Sequence, residues 1–537
     1  MHWPTQTLPP QRVEAWGNDR LVRCFVQRPT SLLSMLVRAK DLHGARDAVI
    51  FDAQRWTYEE TWHEVQRTAQ ALHSLGIGAG DRVALFVSNR PEFVFVLFAV
   101  QYLGAIAVPV GTREQRPGLT FILNQCEAKA VVFDGVLADR IPTQTDVPSL
   151  QARLSLDDVQ ADDIILWPSL EHAAINNNDT ALASHTAHGA DVAVILYTSG
   201  TTGNPKGAML TQQNIAHSVM HFEHGMGLTC DDKSALAVPA SHVTGLIAII
   251  ATMVHVGGAV VVLPEFKAAG FLDTVAHEKI THTLMVPAMY NLCLMSANFQ
   301  ASTLQSWRLG GYGGAPMPVH VIEQLAKELP QLDLRNAYGA TETTSPVTLM
   351  PAGANRLHAD TVGAVLPCGD VRVMDDEGCE VAPGDTGELW ISGPMVVPGY
   401  WNNPQATAQS FTAGHWHSGD LGSVDAQGFV RIFDRKKDML NRGGFKIYSV
   451  EVENCLTRIE GVLEAAIVGK PCPVLGERVH AFIYAPNDAP EEASVIAHCR
   501  AALADYKVPE SFTWLETPLP RNANGKVLKR LLRTEMA

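Results

Sequence analysis

The stretch YTSGTTGNPKG, residues 197–207, packs four Ser/Thr hydroxyls (Thr198, Ser199, Thr201, Thr202), three glycines and one lysine into eleven positions. Glycines let backbone N–H groups converge on an anion, hydroxyls add donors, and Lys206 adds positive charge; together these suit phosphate. The spacing is not that of a Walker A loop, because Gly200 and Gly203 stand three apart and Lys206 is followed by Gly207 instead of Ser or Thr. Taken alone, such a cluster is ordinary loop composition. Four further clusters carry compatible chemistry. RLGGYGGAPMP (308–318) and NAYGATETT (336–344) are glycine-rich, the second with an aromatic ring, hydroxyls and a carboxylate. HSGDLG (417–422) offers Asp420, and PRNANGKVLKR (520–530) presents Lys526 after a glycine.

The elements that position these clusters are legible around them. Residues 191–196 form a short run of β-branched and apolar residues, a buried strand from whose end the 197–207 loop leaves. Thr57 with Glu60 forms a capping box, and Trp62, Val65, Ala69, Leu72 and Leu75 behind it make an amphipathic helix that stops at Gly76. A strand over 82–87, a helix over 92–103 and a strand over 105–110 follow, which predicts a parallel α/β layout. Residues 173–190 read as a loop ahead of the phosphate strand, and no fixed-period repeat is present. Residues 243–263 lack formal charge for twenty-one positions, yet Gly257-Gly258 divide them into a helix of about fourteen residues and a strand over 259–263, buried in an α/β core instead of crossing a membrane.

Composition narrows the function classes. The 537 residues exceed one compact core, so two or more domains are expected. A net charge of −15 argues against a nucleic-acid surface and means that an anionic cofactor needs locally concentrated positive charge. Nine scattered cysteines without a CxxC pair fit reduced thiols, and the N-terminus lacks the apolar region of a signal peptide, so a cytoplasmic enzyme is expected. Near residue 434 the texture changes: FDRKKDMLNRGGFK (433–446) carries five Lys/Arg and two Gly, and the remaining hundred or so residues suffice for a small domain.

With GELWISGP (387–394) and DRKKD (434–438) added, the clusters stand in family order, and the chain resembles the acyl-adenylate-forming superfamily of acyl-CoA synthetases, aryl-CoA ligases, beetle luciferases and peptide-synthetase adenylation domains, from about residue 31 to the last ten residues. The resemblance implies an α/β fold: an N-terminal extension (1–30), a large N-terminal domain with mostly parallel sheets packed by helices (31–434), and a small mobile α+β domain (435–537) with a hinge near Lys437. It implies two half-reactions. A carboxylic acid attacks the α-phosphorus of MgATP to give an acyl adenylate and pyrophosphate, and a thiol then displaces AMP.

By the same resemblance the residues take roles. Thr198, Ser199, Gly200, Thr201, Thr202, Gly203 and Lys206 wrap the β/γ phosphates; Glu342 and Thr198 serve Mg²⁺, which takes one or two hard oxygen ligands; Thr341 meets the α-phosphate. Tyr338 stacks adenine against the backbone of Gly313, Gly314 and Ala315, with Gly339 beside it, and Asp420 takes the ribose hydroxyls with help from Arg435. Lys526 bridges the incoming carboxylate and the α-phosphate. Gly443 and Gly444 admit the pantetheine arm of coenzyme A, with Arg442 and Lys446 toward its phosphates.

The resemblance implies that the acyl pocket begins at SHVTGL (241–246), where His242 is either a group beside the reacting carboxylate or a core histidine with its bonds satisfied. The aspartate that amino-acid-activating relatives carry there is missing. Walls from 285–290, 310–313 with Gly311 and Tyr312, and 343–347 are mostly apolar, which favours an uncharged fatty or aromatic monocarboxylic acid, with Tyr312 shortening the pocket. Ser449 departs from the family's frequent proline before EVE, and little functional effect is expected of it. The expected partners are the acid, ATP and CoA, with no nucleic acid, no integral membrane segment and a homodimer as one assembly option. No carrier domain is expected after the last motif. The alternatives are a stand-alone ligase that loads a separate carrier protein, luciferase-like chemistry on the adenylate, and an inactive nucleotide-binding regulator, which the complete motif set disfavours.

Overall fold

The computed structural model describes the chain except for residues 1–2, 4–7, 17–19, 162, 171–181, 199–204, 487–488, 522–526 and 535–537. It forms two compact units, one of Met1–Val371 with Ile391–Trp416, the other of Arg372–Trp390 with His417–Ala537.

The larger unit is built on two α/β sheets. In the first, the neighbours run Lys206–Thr211, Val192–Thr198, Ile106–Pro109, Arg82–Phe86, Ala130–Phe133, Ala152–Ser155 and Ile165–Leu166, all parallel except the edge strand Lys206–Thr211. Arg82–Phe86 shows why its residues make a strand: Val83 and Leu85 enter one apolar cluster, Ala84 and Phe86 the other, so the period of two is buried on both faces. The crossover to Ile106–Pro109 is the helix Pro91–Tyr102, apolar nearly all round and buried accordingly. The expected helix after Thr57 is Tyr58–Ser74, with Thr57 and Glu60 exchanging both capping bonds, a device worth about 1 kcal/mol.

The second sheet has nine strands, whose inner members Asp333–Ala340, Leu309–Tyr312, His282–Met285, Lys233–Leu236, Ala259–Val262 and Asp47–Phe51 are parallel, flanked by antiparallel partners at both edges. The uncharged stretch at 243–263 splits as expected into a helical half and the strand Ala259–Val262, with Gly257 in the left-handed conformation as the stop. The sequence did not disclose that residues Thr244–Ala251 are wound as a π-helix before the α-turns Thr252–Val256, with the Thr252 hydroxyl donating to the Ile247 carbonyl five residues back at 2.8 Å. Among the described residues no helix is long and apolar enough to cross a membrane. Residues 182–190 carry no helix or strand, and the rest of the loop expected there lies outside the described residues.

The first thirty residues contribute a hairpin, Gln11–Trp16 with Arg20–Phe25, whose Phe25 is fully buried and stacks on His217 at 5.7 Å. The smaller unit is α+β. Its antiparallel hairpin Glu464–Cys472 and Gly476–Tyr484, with Ser511–Leu515 alongside in parallel, separates two small cores. Ile467, Val479, Ala481 and Ile483 face helices Ser449–Leu456 and Glu492–Ala502, while Ala466, Val468 and Phe482 face Leu532 of the last helix, Lys529–Thr534.

Candidate active site

Four neighbouring parallel strands of the nine-stranded sheet end at one level. Lys233–Leu236, His282–Met285, Leu309–Tyr312 and Asp333–Ala340 pair in register, with Met285 beside Tyr312 and Tyr312 beside Asn336. Segments 237–243, 286–290, 313–318 and 341–344 follow these carboxyl ends, the place where open α/β sheets bind ligands. The topology therefore brings His242, Gly311, Tyr312, Gly313, Gly314, Ala315, Tyr338, Gly339, Thr341 and Glu342 to one edge. Thr198 and Lys206 sit opposite each other at the loop end of the hairpin in the other sheet, where the Thr198 hydroxyl donates to the Lys206 carbonyl at 3.4 Å. Ser199, Gly200, Thr201, Thr202 and Gly203 lie outside the described residues.

The YGATE segment is held by close backbone approach. A Cβ on Gly339 would stand 1.8 Å from the Ser345 carbonyl oxygen, and one on Gly313 would stand 2.3 Å from that of Ala337, so neither position accepts a side chain without backbone movement. After the tight turn Thr341–Thr343, two successive non-glycine residues, Thr344 and Ser345, take φ of 52° and 88°. Left-handed backbone at such residues costs roughly 1 kcal/mol each. The surroundings hold it: Thr343 Oγ1 accepts from the Ala340 N–H at 2.8 Å, and Ser218 donates to the Thr344 carbonyl at 2.5 Å. Gly314 and Ala315 are exposed and Tyr338 is half-buried against the apolar group of Val347, Met395 and Trp416, so a flat, partly open surface lies beside bare backbone.

Glu342, 8% exposed, accepts a hydrogen bond on Oε1 from the Tyr400 hydroxyl at 2.9 Å. Burial first, and the adjoining carboxylate second, push the Tyr400 phenol far above its ordinary range, so it stays a donor. The ammonium of Lys206 lies over the Tyr400 ring, 5.1 Å from its centroid. Tyr400 is a residue at this site that the sequence reading missed. The only signal was a GY dipeptide in 399–400, uninformative without the pairing that places it.

His242 makes its recorded bonds locally. Its Nδ1 accepts from the Thr244 N–H at 3.3 Å and lies 3.1 Å from the Thr244 hydroxyl, which leaves the ring proton on Nε2. Burial lowers its pKa to about 4, so the neutral imidazole is the working form at neutral pH. Tyr312, 1% exposed, is fixed by its hydroxyl, which donates to Asn355 Oδ1 at 2.9 Å, and Gly311 is buried in the strand with its carbonyl accepting from Tyr290 at 2.7 Å.

In the smaller unit Asp420 and Arg435 face each other across the pair His415–Val424 and Val430–Arg435, with Nε 2.7 Å from Oδ1. The arginine also donates to the Ser418 carbonyl at 3.2 Å, so a buried carboxylate is presented with its charge compensated. Gly443 and Gly444, at φ 60° and 92°, form the two-residue turn between Leu440–Arg442 and Phe445–Ile447, a geometry that demands positive φ at both positions. Their glycine identity thus has a local cause besides any ligand. Arg442 is paired with Glu510 at 2.8 Å. Lys526 lies outside the described residues.

Comparison with known proteins agrees with this geometry. The family model described as AMP-binding enzyme matches residues 37–401, and that of the AMP-binding enzyme C-terminal domain matches 451–526. The chain belongs to the AMP-binding enzymes. It is an acid–thiol ligase of the AMP-forming, acyl-CoA synthetase class. It is 31% identical over 484 residues to a long-chain-fatty-acid–CoA ligase of Mycobacterium tuberculosis, covering 90% of this chain and 93% of the relative. It is 32% identical over 512 residues to a feruloyl-CoA synthase of Amycolatopsis, covering 94% and 99%. Among solved structures, ATP-bound MatB of Rhodopseudomonas palustris superposes with a TM-score of 0.85 at 30% identity, over 94% of this chain and 99% of that one.

For an AMP-binding enzyme, Mg²⁺ is the group to test against the residues. The donor set fits: Glu342 offers a hard carboxylate oxygen near the hairpin that carries Thr198 and Lys206, and Mg²⁺ needs only one or two such ligands when phosphates and water supply the rest. The strand Lys206–Thr211 packs against the turn that carries Glu342, which places the two segments together.

Proposed function

We propose that this AMP-forming ligase activates an uncharged fatty, medium to long chain, or aromatic monocarboxylic acid and transfers it to coenzyme A. The observation that carries the reading is the absence of formal charge in 241–246, 285–290, 310–313 and 343–347, which lie at or beyond the carboxyl ends of four neighbouring strands. A second carboxylate or a substrate ammonium would be buried there without a partner.

In the first half-reaction a carboxylate oxygen attacks the α-phosphorus and pyrophosphate leaves. The site must stabilise charge between two anions. In this reading Thr198 and Lys206 hold the β/γ phosphates, Thr341 the α-phosphate, and Tyr338 with Gly313, Gly314 and Ala315 the adenine; Asp420 and Arg435 hold the ribose. Glu342 and Thr198 would hold Mg²⁺, which screens phosphate charge. Neutral His242, donating through Nε2, orients the reacting carboxylate, and Lys526 neutralises it on approach. In the second half-reaction the CoA thiol attacks the acyl carbonyl and AMP leaves, with Gly443 and Gly444 beside the pantetheine and Lys437 as the hinge.

The test is a panel of acids with ATP, assayed for AMP release with free CoA and for adenylate by hydroxamate trapping. Uncharged aliphatic or aromatic monocarboxylates should react well ahead of amino acids and dicarboxylates. A preference for either disfavoured group contradicts the reading, and AMP release that requires a carrier protein instead of CoA contradicts the acceptor.

A further inference from the structure

Tyr400 belongs to no helix or strand, yet its position is fixed from several sides. Ala208 and Tyr400 form an antiparallel bridge, with the Met209 N–H donating to the Gly399 carbonyl at 3.1 Å and the Trp401 N–H to that of Gly207 at 2.7 Å. The segment is thereby bridged to the edge of Lys206–Thr211, two residues from Lys206. The same segment is tied to Glu342 through its backbone, since the Val397 N–H donates to the Glu342 carbonyl at 2.9 Å, and Asn214 takes the carbonyls of Pro394 and Val396 at 2.7 and 3.1 Å. The Tyr400 N–H is held by the Thr407 hydroxyl at 3.0 Å.

One side chain thus spans two charges of opposite sign, its hydroxyl on the Glu342 carboxylate and its ring face under the Lys206 ammonium. An ammonium over an aromatic face is attracted without being neutralised, unlike one paired with a carboxylate. A carboxylate that accepts one phenol keeps acceptor capacity for other partners. Resting on the reading of Glu342 as the metal carboxylate and Lys206 as the phosphate cation, we propose that Tyr400 is a positioning residue that sets both groups for the metal–nucleotide, with its hydroxyl serving the metal side and its ring the phosphate side.

The experiment is calorimetric ATP binding to the full-length protein, once with MgCl₂ and once with EDTA, for wild type, Tyr400→Phe, Tyr400→Leu and Glu342→Gln. The ratio of the two dissociation constants reads the metal contribution. Tyr400→Phe keeps the ring, so binding in EDTA stays at the wild-type value while the ratio falls by on the order of tenfold, as for a lost hydrogen bond to a charged group. Tyr400→Leu weakens binding in EDTA as well. A wild-type ratio in Tyr400→Phe with a collapsed ratio in Glu342→Gln overturns the role of Tyr400 alone. A wild-type ratio in both overturns the assignment of Glu342 on which it rests. If Tyr400→Leu does not fold, the Tyr400→Phe ratio still decides.

Discussion

The two compact units are held in place locally by different forces. In the larger one the work is steric: Gly339 and Gly313 admit backbone where a methyl group would collide, and the turn bearing Glu342 keeps two strained residues because its neighbours leave no alternative. In the smaller one long charged side chains do the holding. Lys529 reaches Glu453 at 2.6 Å and the Ser449 hydroxyl at 2.5 Å, the Ser449 N–H donates to Asp434, and Arg533 pairs with Asp438 at 2.8 Å and touches the Lys437 carbonyl at 3.4 Å. Burial raises the pKa of both Asp434 and Glu453, and lowers that of Lys437, so the charged form of each carries a desolvation cost. Steric placement tolerates no substitution but is indifferent to salt and pH. Charged placement can be rearranged.

The sharpest way to break this contrast is Gly339→Ala. With a methyl group 1.8 Å from a carbonyl oxygen, the YGATE segment must shift. Adenylate formation should fall by about a hundredfold or more, as for a misplacement near 1 Å, and stability by about 3 kcal/mol, in the range of overpacking. Pyrophosphate release and the urea midpoint check both, and an alanine variant with normal rates would remove the steric argument.

An effect on stability alone, confined to the other unit, sharpens it. Lys529→Ala leaves Glu453 buried without its cation and should cost about 3 kcal/mol, whereas Lys529→Met combined with Glu453→Leu should recover most of that loss, because an apolar pair of similar volume replaces the ions. Hydrogen exchange of the helix Ser449–Leu456 measures it. If the double variant is no better than the single one, the network holds the unit for reasons other than charge balance.

The same contrast governs what could be read from the sequence. Features set by local rules were legible: the capping box at Thr57, the two-sided burial of Arg82–Phe86 and the break at Gly257 all follow from neighbouring residues. The steric part of the site was legible through its glycines, although Gly443 and Gly444 were read for a ligand when the hairpin already requires them. Contacts between residues distant in sequence were not. Tyr400 acts on Glu342 from 58 positions away, and Lys529 on Ser449 from 80. Ser449 shows the limit best. A proline there could neither donate the N–H to Asp434 nor accept from Lys529, so the departure from the family pattern has a structural use that periodicity and motif order do not encode.

The measurement that bears most directly on the proposed two-step ligation is single-turnover kinetics of each half-reaction in Lys526→Ala. The account predicts that adenylate formation from acid and ATP is nearly abolished, while a chemically prepared acyl adenylate is converted to the CoA thioester at close to the wild-type rate. Equal slowing of both steps would contradict it.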